Sequence, residues 1–200
     1  MPSLANGHIG FVIYGNSILM NGLYNGERGE SHRARIPNYS NILTSLECTT
    51  NCAYQMNMRK GFFQNIMSNS NSYQVIQQLY PHRFYNRAIF NRIQLERQQQ
   101  TGNISIDLNI NPGEIPSVDL NATSTATDEI LSRSVTIKCF TTNVLEDVNY
   151  QPQFSPVCVA YTNPPSQLSL DASESSKEFL HITTVARTEA EVRKEISDIF

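Results

Sequence analysis

The chain has 200 residues, of which 40% are hydrophobic and 16% are charged, and its formal net charge at pH 7 is −3. This length is sufficient for one well-buried domain and excludes a β-sandwich combined with a complete helical barrel. Because nucleic acids and anionic membranes attract basic surfaces, the charge balance predicts neither as a partner.

The amino-terminal segment lacks the basic start and the continuous apolar run of a signal peptide, and no segment approaches the roughly 18 apolar residues of a membrane-spanning helix. We therefore expect a cytoplasmic protein whose four cysteines, Cys48, Cys52, Cys139 and Cys158, are free thiols. Cys48 and Cys52 have CxxxC spacing, but no second ligand pair accompanies them, so no metal or cofactor is predicted.

Most of the chain consists of segments with β-branched and aromatic residues at a period of two, separated by Gly, Asn and Pro, which predicts a mostly β protein. The dipeptide Gly15-Asn16 is suited to a tight hairpin between strands at 9–14 and 17–21. Further strands are predicted at 42–49, 53–59, 62–67, 72–81, 85–95, 104–110, 134–142, 156–162 and 178–186. Loops are predicted at 23–39, 111–128, 143–155 and 163–176.

The last thirteen residues change to a helical pattern. Thr188 and Glu191 form a capping-box signature, and Val192, Ile196 and Ile199 follow at helical spacing. We expect a sandwich domain at residues 1–187 and, at 188–200, the start of a helix that links it to a further domain, because no C-cap sequence ends the helix.

The segment from Asn21 to Asn41 is the richest in functional residue types, since glycines that permit tight turns alternate with tyrosines, a histidine and arginines. The candidate site residues, which could bind sugar hydroxyls or carboxylates, are Tyr24, Asn25, His32, Arg33 and Arg35. Two interpretations stay open: the arginines pair with acids of a neighbouring domain, or the segment contacts substrate directly.

Part of this segment and the residues before it resemble the amino-terminal segment of glycoside hydrolase family 65, in particular its acid-trehalase-like branch. The matching residues are Asn6, Gly7 and Gly10, then Tyr24, Asn25 and Gly26, and finally Gly29, His32, Arg33, Ala34 and Pro37, with a weaker similarity at 80–83. The resemblance implies a large, galactose-mutarotase-like β-supersandwich that precedes an (α/α)6 barrel.

In that family the barrel contains the catalytic carboxylates of an inverting mechanism. The resemblance therefore implies that this chain has no catalytic residue and that it is the accessory domain of an α-glucosidase. Its partners would be the barrel of the same polypeptide and, through the intact enzyme, a carbohydrate substrate.

Other functions have less support in the residues. The acids are scattered, and Glu27 and Glu30 lie next to arginines that favour their ionised form. No two histidines have metal-binding spacing, and His82 is predicted to be structural. A free-standing carbohydrate-binding sandwich stays open as an alternative, with Tyr24, Tyr39 or Tyr85 stacking on sugar rings, whereas a cell-surface adhesion sandwich would require secretion and disulfides.

Overall fold

The computed structural model describes residues 2–26, 31–46, 52–69, 72–99, 102–112, 119–144, 146–148 and 151–200. Its strands and helix, in chain order, are β1 (Ser3–Ala5), β2 (Ile9–Val12), β3 (Ser17–Asn25), β4 (His32–Pro37), β5 (Ile42–Thr44), β6 (Cys52–Asn57), β7 (Phe62–Asn69), β8 (Tyr73–Pro81), β9 (Ala88–Arg97), β10 (Ile104–Ile110), β11 (Leu120–Ile130), β12 (Arg133–Thr142), β13 (Glu146–Val148), β14 (Gln151–Gln153), β15 (Pro156–Thr162), β16 (Gln167–Leu170), β17 (Ser176–Ala186) and α1 (Glu189–Ile199).

An eight-stranded antiparallel sheet, in the order β11-β12-β15-β17-β9-β8-β7-β6, forms the centre of the molecule. Two smaller sheets, β1-β2-β3-β4 and β16-β10-β5, pack on one of its faces. In β9, Ile89 and Ile93 point toward these small sheets, while Phe90 points to the opposite face. The prediction of a mostly β, sandwich-type fold is confirmed.

Helix α1 covers part of the opposite face. Thr188 is its N-cap and forms the predicted capping box with Glu191, so the predicted start of the helix is confirmed. Val192 and Ile196 are fully buried and pack with Phe90 and other apolar residues of the large sheet. The apolar stripe of the helix therefore packs on the sheet of this same domain. Among the described residues, no helix has the length and apolarity required to cross a membrane.

The segment that joins β4 to β5 crosses the face of the large sheet on which the two small sheets pack. It lies between the apolar cluster under β1-β2-β3-β4 and the apolar cluster under β16-β10-β5. Its backbone carbonyls would be unsatisfied there, and side chains of the large sheet donate to them: Asn91 Nδ2 to Ser40 O at 2.8 Å and His181 Nε2 to Tyr39 O at 2.8 Å. A layer of buried polar groups thus separates the two halves of the core.

The local turn geometry differs in part from the sequence prediction. The hairpin between β2 and β3 is confirmed, but the residue with positive φ is Tyr14, at 55°, and not Gly15 or Asn16. Gly61, with φ of 73°, lies in the turn between β6 and β7, as predicted.

The four predicted loops are partly wrong. Residues 23–39 contain the end of β3 and all of β4, 111–128 contain most of β11, 143–155 contain β13 and β14, and 163–176 contain β16. Strand β11 was not predictable from periodicity because, as an edge strand, it exposes residues on both faces, which removes the alternation of apolar and polar residues.

The prediction of free thiols is also wrong. Cys139 and Cys158 form a disulfide, and Cys52 is disulfide-bonded as well, whereas Cys48 lies outside the described residues. Cys139 and Cys158 are separated by 19 positions in the sequence but lie directly opposite each other on β12 and β15. This register is set by the sheet and cannot be deduced from the spacing of the cysteines, so the thiol argument for a cytoplasmic location no longer holds.

Candidate functional site

The predicted functional segment contains the end of β3 and all of β4, which pair as antiparallel strands. Residues 27–30, which include Glu27 and Glu30, lie outside the described residues. The register between the strands shifts between Leu19 and Tyr24, and Gly22 has a φ of 79° within this irregularity. The Arg187 guanidinium donates to the Gly22 carbonyl. The irregular part of the hairpin is thereby bound to the segment just before α1.

Asp119, which directly precedes β11, binds two of the five predicted site residues. His32 Nε2 lies 3.0 Å from Asp119 Oδ1, and Arg35 Nε lies 2.6 Å from Oδ2. Arg35 also donates through its backbone N–H to Oδ2 at 3.0 Å and through Nη2 to Oδ1 at 3.1 Å. The Asp119 side chain is 1% exposed, so it is a buried anchor for the exposed side of β4.

The electrostatics of this cluster favour a permanently ionised carboxylate. Burial alone would raise the pKa of Asp119, but hydrogen bonds from Arg35 and His32 outweigh burial and lower this pKa to about 2. A carboxyl group with such a pKa cannot donate a proton near neutral pH. The cluster is therefore suited to fixing the hairpin and not to general acid catalysis.

The remaining predicted residues separate into one buried anchor and two residues that stay accessible. Asn25 is buried, and its Oδ1 accepts a hydrogen bond from the backbone N–H of Val144 at 2.9 Å. Tyr24 and Arg33 are cross-strand partners, and Tyr24 is half-buried while Arg33 is exposed. Arg33 lines a shallow cleft of about 180 Å³ with His8 and Asn21.

Asn6 has a structural role that the sequence did not indicate. Its Nδ2 donates to the carbonyls of His82 and Asn86, at 2.8 and 2.9 Å, and its Oδ1 accepts from the backbone N–H groups of His8 and Ile9. All hydrogen-bonding capacity of this side chain is used in joining the first strands to the loop after β8. The separation of 76 positions between Asn6 and His82 explains why no local pattern revealed this contact.

The role predicted for His82 is confirmed as structural, since its Nδ1 accepts from the backbone N–H groups of Phe84 and Tyr85. Two of the tyrosines proposed to stack on sugars do not have free rings. Tyr39 is 3% exposed and stacks on Tyr161 with ring centroids 4.5 Å apart. The Tyr85 ring contacts the rings of His82 and Phe84, with centroids 5.1 and 5.0 Å away.

Three described carboxyl groups are held in their ionised form by their hydrogen-bond partners. Where the pKa of a described carboxyl group shifts clearly, in Asp119, Asp128 and Glu191, it shifts downward. A glycosidase requires the opposite shift in its proton donor. Within the described part of the chain, no group of histidine, cysteine, aspartate and glutamate side chains could hold a metal ion either.

Comparisons with known proteins agree with the family suggested by the residues. Protein-glucosylgalactosylhydroxylysine glucosidase of Gallus gallus is 24% identical over 201 residues, which cover 99% of this chain and 28% of the chicken protein. The Dictyostelium discoideum protein of the same name is 25% identical over 88% of this chain and 26% of its own length. No family model matches the chain.

A solved structure described as a putative kojibiose phosphorylase from human microbiome has the same fold, with a TM-score of 0.51 and 14% identity over 98% of this chain and 32% of its own. The resemblance to the amino-terminal domain of glycoside hydrolase family 65 is confirmed. This family 65 resemblance extends over nearly the whole chain, whereas the chain spans only about a quarter of the length of the curated relatives it matches.

Proposed function

We propose that this chain is the amino-terminal accessory domain of an α-glucosidase similar to protein-glucosylgalactosylhydroxylysine glucosidase. The intact enzyme would release glucose from glucosylgalactosyl-hydroxylysine with inversion at the anomeric carbon, and this domain would not perform the reaction. The proposal is supported mainly by the lengths of the alignments. Nearly all of this chain aligns with about a quarter of each of two sugar-processing relatives.

In this proposal, residues 1–187 form the sandwich and 188–200 begin a connection to an (α/α)6 barrel with the catalytic carboxylates. The carboxyl groups of Asp119, Asp128 and Glu191 support the assignment of catalysis to the barrel, because the pKa of each is lowered and a glycosidase proton donor needs a raised pKa. The task of the domain is then structural, and the β3–β4 hairpin is its part directed at the barrel.

The anchoring of the hairpin supports this role. Asp119 fixes His32 and Arg35 from the side of the large sheet, which leaves Tyr24 and Arg33 accessible for contact. A hairpin whose second strand is held by a buried carboxylate can present two side chains in a defined geometry, as a domain interface or the rim of a substrate site requires.

The mass of the native polypeptide tests the accessory-domain proposal. Peptides of this sequence, identified by mass spectrometry after electrophoresis of a cell extract under denaturing and reducing conditions, should come from a protein several times larger than 22.6 kDa. A native polypeptide of 22.6 kDa that contains all of these peptides would reject the proposal.

The hairpin surface is tested by the double substitution Tyr24→Ala with Arg33→Ala in that native polypeptide. We expect glucose release to fall while the sandwich stays folded, because Arg33 is exposed and Tyr24 is only half-buried. The matched control is Phe84→Ala, which removes an aromatic ring that is 82% exposed in a different loop. Equal activity in the double variant and the control would refute the assigned role of the hairpin.

A further inference from the structure

A second cleft, away from the hairpin, lies between the two small sheets where they pack on β6, β7 and β8. Its volume is about 180 Å³, which is room for about six water molecules. Tyr14, in the turn between β2 and β3, forms one wall, and β5 forms the opposite wall. None of the described residues that line it carries a charge.

The floor of this cleft is a row of three polar residues on adjacent strands of the large sheet. Tyr54 of β6 lies opposite Asn65 of β7, and Asn65 lies opposite Gln77 of β8. Asn65 and Gln77 are only 5% and 3% exposed, whereas Tyr54 is 59% exposed. Two buried amides thus lie beside an accessible aromatic ring.

A chain of hydrogen bonds fixes the orientation of both amides. Gln77 Nε2 donates to the Ile42 carbonyl at 3.1 Å, which leaves Gln77 Oε1 to accept from the Tyr14 hydroxyl at 3.1 Å. Because the Tyr14 hydroxyl uses its hydrogen there, it accepts from Asn65, whose Nδ2 lies 3.1 Å away. Asn65 Oδ1 therefore faces away from this chain of hydrogen bonds.

Asn65 Oδ1 is buried, and no described residue donates to it. A buried acceptor costs roughly 1–3 kcal/mol unless a protein group, a water molecule or a ligand donates to it. Gln77 alone would satisfy the Ile42 carbonyl, which is the backbone group that needs a donor here. The hydrogen bonds extend from there through Tyr14 to Asn65, which is one of the residues that line the cleft.

We propose that this cleft binds a neutral, hydroxyl-bearing ligand the size of one sugar ring, with a ligand hydroxyl donating to Asn65 Oδ1 and the ring lying against Tyr54. The absence of charged lining residues among those described favours a neutral ligand over an anionic or cationic one. Amide groups beside an exposed aromatic face provide the hydrogen bonds and the apolar surface that a pyranose offers on its edge and face. A cleft of about 180 Å³ has room for one such ring.

The test uses the purified 200-residue chain titrated with D-glucose and, separately, with D-galactose, up to about 0.1 M because a single-ring contact is expected to be weak. Two-dimensional proton–nitrogen NMR spectra detect the side-chain amides directly. We expect the signals of Asn65 and Gln77 to shift with at least one sugar. Tyr54→Ala should weaken this binding about tenfold, since it removes the stacking surface. The matched control Phe84→Ala removes an exposed ring outside the cleft and should bind as the unchanged chain does.

Asn65→Leu distinguishes a binding role from a structural one. If Asn65 binds a ligand hydroxyl, replacing it with leucine abolishes the sugar-dependent shifts of the NMR signals. The urea midpoint of unfolding should stay equal or rise, because an unpaired buried acceptor disappears. Loss of stability in Asn65→Leu without any sugar-dependent shift in the unchanged chain would overturn the proposal. Shifts that persist in Tyr54→Ala, or that occur only around Tyr24, would overturn it as well.

This inference does not depend on the accessory-domain proposal, and the two fail separately. A native polypeptide of 22.6 kDa would reject the accessory role but would leave sugar binding by the cleft to be decided by the NMR titration. Conversely, a cleft that binds neither sugar would leave the relation to family 65 unaffected.

Discussion

Asp119 joins residues that are far apart in the sequence, since 87 positions separate it from His32 and 84 from Arg35. Its sequence context, among Asn, Pro, Ser and acidic residues, is typical of a solvated loop, and the segment directly before it lies outside the described residues. The sequence left open whether the arginines pair with acids of a neighbouring domain or contact substrate, whereas Arg35 pairs with Asp119 of this same chain. The packing of β11 beside β4 determines this partner.

We predict that Asp119→Ala lowers the free energy of unfolding by about 2 kcal/mol at pH 7, because charge-assisted hydrogen bonds to a buried carboxylate are lost. The matched control is Asp128→Ala, whose carboxylate is half-exposed and pairs with Arg193, so its removal should have a much smaller effect. Urea unfolding at constant ionic strength measures both variants. An equal effect in the two variants would contradict the anchoring role of Asp119.

We predict that the buried side chain of His181 makes the free energy of unfolding depend on pH under acidic conditions. Burial lowers its pKa from 6.5 to about 4, and the neutral ring donates through Nε2 to the Tyr39 carbonyl. Between these two pH values the unfolded chain binds more protons than the folded one, so the free energy of unfolding falls as the pH decreases through this window. The full effect is about 3 kcal/mol.

The substitution His181→Gln should flatten this dependence between pH 6.5 and 4, although it lowers stability at pH 7. His32→Gln serves as the control because it removes a histidine whose side chain is 52% exposed. The measurement is the urea midpoint of unfolding as a function of pH between 6.5 and 4. If the pH dependence of this midpoint is the same in His181→Gln as in the unchanged chain, other groups cause the acid sensitivity.

At the scale of elements, prediction from sequence succeeded where a strand has one buried and one exposed face. The alternation in Ile104–Ile110 is a strong signal, and the bounds of β10 match it. The same method failed for β11, because an edge strand made largely of Ala, Ser and Thr is exposed on both faces. The first part of β3 was predicted, but the end of β3 and all of β4 were mistaken for a loop because the irregularity at Gly22 interrupts the period of two.

Helix α1 provides a test at this scale because its start is defined by a local motif. Thr188 Oγ1 accepts from the Glu191 backbone N–H at 3.3 Å, and the Glu191 carboxylate accepts from the Thr188 N–H at 3.1 Å. Thr188→Ala should reduce the free energy of unfolding by about 1 kcal/mol. Thr125→Ala, on the exposed β11, is the control and should have a smaller effect. If chemical denaturation finds the two variants equal, the capping box does not stabilise the domain.

At the scale of the whole molecule, the sheets, the crossing segment and the helix form layers that are similar to about a quarter to a third of the length of longer proteins. Composition and strand periodicity predicted a sandwich, and the family resemblance added the galactose-mutarotase-like form of that sandwich. The disulfide between Cys139 and Cys158 and the polar layer under the crossing segment depend on strand register, which becomes defined only when the whole sheet is assembled.

The central claim is that this domain supports a glucosidase reaction whose catalytic groups lie elsewhere in the polypeptide. Glucose release from glucosylgalactosyl-hydroxylysine, measured in parallel for the purified 200-residue chain and for the native polypeptide that contains it, tests this claim most directly. We expect turnover by the native polypeptide and none by the isolated chain. Sustained release of glucose by the isolated chain, or none by the native polypeptide, would contradict it.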